Sequence, residues 1–138
     1  TNCHFWSLTH WQSACQSVYM SAWTSIGEVA TIPADNANPV FVTGAAFVPA
    51  NGDEGATLEV QGQATGGDFY ILRRMQISPT LFRWVPFAPD KALSGTSGAA
   101  GYFWDRLAIG EHGSGEQFAI FNPGGATITA PMARLVRF

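Results

Sequence analysis

The chain has 138 residues, which is enough for one domain, because a globule of this size buries about two-thirds of the surface that its unfolded chain exposes. Apolar residues make up 46% of the chain, which excludes general disorder, and no stretch of ~20 apolar residues predicts a membrane-spanning helix. The charged fraction is only 12%, about half the usual ~25%, and the net charge of −3 argues against binding along a nucleic-acid backbone, which needs clustered cations.

Residues 1–24 form the first predicted unit, which is rich in aromatic residues and contains no Asp, Glu, Lys or Arg. Trp11, Cys15 and Val18 have helical spacing, whereas Val18, Met20 and Ala22 alternate as in a strand, so the periodicity leaves both open. We expect an arm or short helix before residue 17 and a strand after it. Large aromatic side chains suit an arm that docks on a neighbour. The predicted docking residues are Phe5, Trp6, Trp11 and Trp23.

The two cysteines, Cys3 and Cys15, either form a disulfide or remain free thiols, and two cysteines leave the redox compartment open. Together with His4 and His10 they supply four zinc-type ligands. Their spacing matches no standard zinc pattern. We therefore expect no metal site and no cofactor.

Residues 25–138 are predicted to form an all-β domain, because Gly, Pro and Asn interrupt runs of β-branched and aromatic residues at short intervals. Alternation is clearest where Leu58 and Val60 face one side and Glu59 and Gln61 face water. Pro131 indicates a bulge or an edge strand. About eight strands are typical of a jelly-roll-like antiparallel β-sandwich, although their order is not determined. The predicted strands are 25–34, 39–49, 56–64, 68–78, 81–86, 102–109, 116–122 and 126–138.

Several of these strands are apolar on both faces, so both faces must be covered. The outer faces of a sandwich are normally wet, and the low charge also favours association, so we predict a subunit interface. Two alternatives stay open, namely internal cover by the N-terminal segment and a monomer kept soluble by uncharged polar residues. The predicted interface residues are Phe41, Phe47, Phe82, Trp84, Val136 and Phe138.

The segment around Trp104 is a candidate for glycan binding. On a strand, Tyr102, Trp104 and Arg106 share one face, and Phe103 and Asp105 lie on the other. Exposed aromatic rings beside polar groups form stacking platforms for sugar rings, so the first three residues are the candidate glycan contacts. In the alternative interpretation Trp104 belongs to the core and Arg106 is an ordinary surface charge.

Catalytic patterns are weak. The chain contains no nucleophile elbow, and Gly113-Ser114-Gly115 is typical of a turn. Asp105 and Glu111 flank one predicted hairpin and form the best carboxylate pair for glycoside hydrolysis, and His112 with Asp105 gives the best partial triad. Because such sets occur by chance in most chains, we expect a protein that is not an enzyme and assign no catalytic residue.

The segment GEQFAIFNPGGATIT at residues 115–129, followed by Arg134-Leu135-Val136, resembles the end of trimeric jelly-roll domains in phage tail-fibre heads, capsid decoration proteins and the C1q/tumour-necrosis-factor-like group. Residues 26–34 are similar to the opening strand of such domains. The resemblance implies a structural protein of a virus particle, located in the virion, that forms a homotrimer and docks on other virion proteins. The alternative is a carbohydrate-binding module or lectin, secreted or on a cell surface, whose partner is a host glycan.

Overall fold

The computed structural model describes residues 19–49, 56–87, 93, 101–110 and 116–137. Within these ranges the chain is all-β, with ten strands in two sheets that pack as a β-sandwich, which confirms the predicted fold class. No helix capable of crossing a membrane occurs in this part of the chain. The strands are β1 (Tyr19–Met20), β2 (Thr24–Ser25), β3 (Glu28–Val29), β4 (Phe41–Thr43), β5 (Ala56–Thr65), β6 (Tyr70–Ser78), β7 (Leu81–Phe87), β8 (Tyr102–Gly110), β9 (Gln117–Phe121) and β10 (Thr127–Arg137).

The first sheet has the order β1-β10-β5-β8, and β2 also pairs with β10. The second sheet has the order β4-β3-β9-β6-β7. Every pair is antiparallel except β3 with β9, which is parallel. The long strands β5, β8 and β10 are therefore neighbours, although they are far apart in the sequence. The jelly-roll connectivity suggested by the strand count stays a prediction.

The main core lies between the two sheets and follows from the alternation along each strand. In β5, Leu58 and Val60 are fully buried, as their positions in the pattern predicted. The ring of Phe69 meets the ring of Phe103 edge to face with centroids 4.8 Å apart. Each large apolar side chain buried here contributes about 1.5–3 kcal/mol. The larger members of this core are Leu58, Val60, Phe69, Ile71, Phe103, Leu107, Phe118, Ile120 and Leu135.

Six predicted strands agree with β5 to β10 within two residues at each end. The first two predictions are wrong in extent. The range 25–34 contains the last residue of β2, Ser25, and the two residues of β3, and the range 39–49 contains the three residues of β4 and an isolated bridge at Phe47. Close packing between the two segments limits the length of their strands. A Cβ at Gly27 would lie 2.6 Å from the backbone nitrogen of Ala45. Gly44 has a φ of 66°, in the left-handed region that favours glycine, and it ends the run of β4.

The chain between β3 and β4 covers the outer face of the second sheet. Phe41 meets Trp84 of β7 edge to face at 6.2 Å, and the carbonyl oxygen of Asn36 accepts a 2.6 Å hydrogen bond from the backbone nitrogen of Trp84. These contacts complete a second apolar cluster, which is covered by residues of the same chain. Its members are Val29, Leu72, Trp84 and Ala119, with Ile32, Phe41, Ala46 and Phe121 packed against them.

These contacts bear on the predicted subunit interface. Phe47, Trp84 and Val136 are buried within the chain, and Phe41 and Phe82 are half-buried. Internal cover therefore accounts for the first three, and among the described residues the cover of the second sheet comes from residues 30–46. Phe138 lies outside the described residues, and the subunit interface itself stays a prediction.

Of the two interpretations of Pro131, the bulge is confirmed and the edge strand is wrong, because β10 pairs with strands on both sides. The register of β10 against β5 shifts between Thr129 and Met132, and Ala130 has a φ of 49°. A bulge bends its strand and redirects side chains, and bulges often lie beside functional sites. This one lies at the edge of the groove described below.

Candidate functional site

The outer face of the first sheet gathers aromatic and polar side chains from three neighbouring strands. The register places Tyr102 opposite Gln63 and Gln63 opposite Thr129, and it places Trp104 opposite Gln61. Residues that lie directly opposite in antiparallel strands share a face and contact each other. We call this set the platform: Tyr102 and Trp104 of β8, Gln61 and Gln63 of β5, and Thr129 of β10.

The two aromatic rings of the platform are open to solvent. Tyr102 is 56% exposed and Trp104 is 54% exposed, while Phe103 between them is buried in the main core. The interpretation that placed Trp104 in the core is therefore wrong. Alternate residues of an extended strand stand about 7 Å apart, so the two rings follow one another on the same face of β8. A pair of exposed large rings on one face is a surface suited to stacking.

A shallow groove of about 260 Å³ lies beside the rings. Amides and a hydroxyl border it, so it offers both hydrogen-bond donors and acceptors. Behind the groove, the core side of β5 is closely packed at Gly62, where a Cβ would lie 3.0 Å from the buried Phe103 ring and 3.1 Å from the Cα of Pro131. The lining residues are Gln61, Gly62, Gln63, Tyr102, Thr129 and Ala130.

One step along the sheet, a buried carboxylate is held between two arginines. Glu59 Oε2 accepts a 2.7 Å hydrogen bond from Nε of Arg106, and its Oε1 accepts a 2.6 Å hydrogen bond from Nε of Arg134. We call these three residues the Arg–Glu–Arg row. The side chain of Glu59 is only 1% exposed, so the prediction that it faces water is wrong, although its face of the strand was right. The arginines of the flanking strands cover it.

Each arginine of the row also stacks on a tryptophan. The guanidinium of Arg106 lies 4.8 Å from the ring centroid of Trp104, and that of Arg134 lies 4.4 Å from the ring centroid of Trp23. Such cation–π contacts contribute about 0.5–1 kcal/mol at exposed sites. Glu59 fixes both guanidinium groups, so it also restrains the ring of Trp104, and this part of the platform is held in place by the chain itself.

The ionisation of Glu59 follows from these contacts. Burial alone would raise the pKa of the Glu59 carboxyl, but the hydrogen bonds and positive charges of Arg134 and Arg106 outweigh it, so the pKa lies below its ordinary value of 4.5. The carboxylate is therefore charged at neutral pH. Its role is to hold the two arginines in place.

The remaining predicted site residues are placed as follows. Of the docking arm, Trp23 is half-buried against Arg134. Asp105 is half-buried, and its Oδ1 accepts a 2.7 Å hydrogen bond from the backbone nitrogen of Arg106. Within the described ranges, no group of three or more His, Cys, Asp or Glu residues could hold a metal ion. The other candidate residues of the sequence analysis lie outside the described ranges. They are Cys3, His4, Phe5, Trp6, His10, Trp11, Cys15, Glu111 and His112.

The second sheet carries a different exposed feature at its β4 edge. Val40, Val42 and Val48 are largely exposed. A shallow apolar groove of about 320 Å³ lies there, lined by Val40 and Val42 together with Ala30, Thr31 and Pro33. The described residues that line it carry neither an amide nor a charged side chain, in contrast to those of the platform.

Sequence reasoning found Tyr102, Trp104 and Arg106 but missed Arg134 and the role of Glu59. Alternation along β5 did indicate that Gln61 and Gln63 face outwards. No local signal joins β5 to β10, because Glu59 and Arg134 are 75 residues apart in the chain.

The chain matches no protein-family model, no curated protein and no solved structure.

Proposed function

We propose that this chain is a non-catalytic glycan-binding domain that takes sugar rings on the platform. The observation that carries the proposal is the pair of exposed rings, Tyr102 and Trp104, on one face of β8 beside the groove. The apolar C–H face of a sugar ring stacks on an aromatic ring, and its hydroxyls need neighbouring donors and acceptors. The rings and the amides of Gln61 and Gln63 supply both.

The rigidity of the site supports the same function. A ligand that binds a loose surface must order the side chains it touches, at about 0.5–1.5 kcal/mol for each long side chain. Here Glu59 holds Arg106, and Arg106 holds one face of Trp104, so part of that ordering is complete before binding. The carboxylate of Glu59 already accepts hydrogen bonds from two arginines, which suits a structural role better than acid–base chemistry.

Binding of the protein to a broad glycan array tests the proposal. Calorimetry and tryptophan fluorescence then measure the affinity for the glycans that bind. We expect Trp104→Ala to weaken binding at least tenfold, because stacking on one aromatic ring is worth about 1–3 kcal/mol in the comparable case of nucleic-acid bases. Gln63→Ala should weaken it several-fold through the loss of hydrogen bonds.

The matched control is Ile77→Ala, which removes another largely exposed apolar side chain, on the β6–β7 hairpin. Its glycan affinity should equal that of the unaltered protein. Absence of binding across the array, or equal losses in Trp104→Ala and Ile77→Ala, would rule out the platform as a glycan site.

A second candidate function is that of a structural protein in a virus particle, a capsid decoration or fibre-associated subunit that forms a homotrimer and docks on other virion proteins. The observation that favours it is the exposed apolar edge at Val40, Val42 and Val48, in a chain with few charges to keep copies apart. The two functions use different sheets of the sandwich, so a fibre domain that binds a host glycan would combine them.

Light scattering at several protein concentrations tests this second candidate. A trimer that resists dilution and dissociates in a Val40→Ser/Val42→Ser variant, but not in Ile77→Ser, would support it. A monomer at every concentration would contradict it and leave the glycan proposal unaffected.

A further inference from the structure

We infer that the ligand of the platform is an acidic oligosaccharide, with an uncharged ring in the groove and a carboxylate or sulfate over Arg106. This inference rests on the proposed glycan function and names the class of glycan. It is carried by the charge and placement of the Arg–Glu–Arg row beside the platform.

The row has two cations for one anion, and the anion is hidden. The side chain of Glu59 is 1% exposed, whereas those of Arg106 and Arg134 are 53% and 25% exposed. Solvent therefore meets guanidinium groups and not the carboxylate. Guanidinium is the side chain best suited to carboxylate and sulfate-like oxygens, because its planar N–H groups can donate in pairs.

The neighbouring acid, Asp105, belongs to the other face of β8. Asp105 follows Trp104 in the chain, but alternation directs its side chain to the opposite face of β8, with Phe103 and Leu107. Its carboxylate is half-buried and accepts the backbone N–H of Arg106. Among the described residues, the face above β5 thus carries two partly exposed guanidinium groups over one buried carboxylate, in a protein whose net charge is −3.

The distances fit a ligand longer than one sugar ring. Glu59 and Gln63 lie four residues apart on β5, which is about 14 Å of extended strand. The groove lies at the Gln63 end and the Arg–Glu–Arg row at the other, with Trp104 between them. A chain of two or more rings running along β5 and β8 reaches both.

The test uses an array that carries neutral, carboxylated and sulfated glycans, probed with the unaltered protein at about 0.05 M and about 0.5 M NaCl. We expect the binders to be acidic. The strongest binder should lose at least tenfold in affinity when its acidic group is removed, by desialylation, carboxyl reduction or desulfation. The ratio of the affinity for an acidic glycan to that for its neutral counterpart should fall several-fold at the higher salt. Comparison of the carboxylated and sulfated glycans identifies which acidic group the protein binds.

Arg106→Gln localises the effect. It should lower the affinity for the acidic glycan at least tenfold and the affinity for its neutral counterpart less than about threefold. Arg106→Lys should keep a large part of the preference, since it retains the charge. The control is Arg74→Gln, which removes another arginine stacked on an aromatic ring, Phe82 at 3.9 Å on the second sheet.

The outcomes separate the inference from the function on which it rests. Neutral glycans that bind as tightly as acidic ones, with no effect of salt, would overturn the inference and leave the glycan function intact. Absence of binding to any glycan would overturn both. If Arg106→Gln fails to fold, the glycan binding of the unaltered protein and its dependence on salt still test the inference.

Discussion

The outer faces of the two sheets differ, since one is covered by the chain and the other is exposed. On the second sheet, residues 30–46 fold over an apolar face and bury Trp84 against Phe41. On the first sheet, the outer face presents Trp104 to solvent and hides a single carboxylate, Glu59, beneath two arginines. One tryptophan is thus structural and the other lies on the surface, within the same fold.

Under the proposed function, this difference leaves one face of a small sandwich available for recognition. A face whose apolar groups are covered by the chain itself adds to stability but leaves little for a partner to bind. A face that is ordered by a polar network, with exposed rings above it, stays open and rigid. The predictions below test this division, from the largest expected effect to the smallest.

Trp84→Ala should cost about 3–5 kcal/mol in the free energy of unfolding, because it leaves a cavity in the second cluster that Phe41 cannot fill. Urea unfolding measures this loss. Below the lowered melting temperature the variant should keep its glycan affinity, since the platform lies on the other sheet. A loss under about 1 kcal/mol would mean that the cover over the second sheet is loose.

Glu59→Gln should cost about 2 kcal/mol, since it keeps the shape of the side chain but removes the charge that pairs with Arg106 and Arg134. The control is Asp35→Asn, an exposed acid whose Oδ1 accepts the local N–H of Ala37, where we expect a change under about 0.5 kcal/mol. Equal effects in the two variants would contradict the structural role of the Arg–Glu–Arg row.

The contribution of Glu59 should also depend on pH. Because the pKa of Glu59 is lower in the folded chain than its ordinary value of 4.5, its stabilisation is complete above that value and is lost as the pH falls below it. The difference in unfolding free energy between the unaltered protein and Glu59→Gln should stay constant from neutral pH down to about pH 5 and then shrink. A difference that grows on acidification would show that the folded pKa is raised.

Trp104→Ala should change the free energy of unfolding by less than about 1 kcal/mol, because it removes an exposed ring and one cation–π contact with Arg106. The same urea experiment that measures Trp84→Ala checks this value. Equal losses in the two variants would remove the distinction between a structural face and a recognition face.

The sequence predicted the parts of the fold that depend on local alternation. Strands β5 to β10 were expected within two residues because turn residues bound each of them and their faces alternate. The region around Phe41 was predicted poorly, since a segment that is apolar on both sides looks like a long buried strand. Its short strands result from close packing at Gly27 and Gly44, which is tertiary information.

In the candidate site, too, local alternation predicted some residues, and the others depend on strand pairing. Tyr102, Trp104 and Arg106 lie on one strand, so alternation alone placed them together on one face. Arg134 joins them only through the pairing of β5 with β8 and β10, and register cannot be derived from one sequence. The burial of Glu59 follows from that register and could not be predicted without it.

The most direct test of the glycan platform is nuclear magnetic resonance of the labelled protein during titration with the strongest glycan binder from the array. We expect the largest shifts at the indole N–H of Trp104 and at the backbone amides of Gln61, Gln63 and Tyr102. The amides of Val40 and Val42, on the second sheet, should not move. Shifts centred on Val40 and Val42, or no shifts at the platform while the glycan binds, would contradict the assignment of this face.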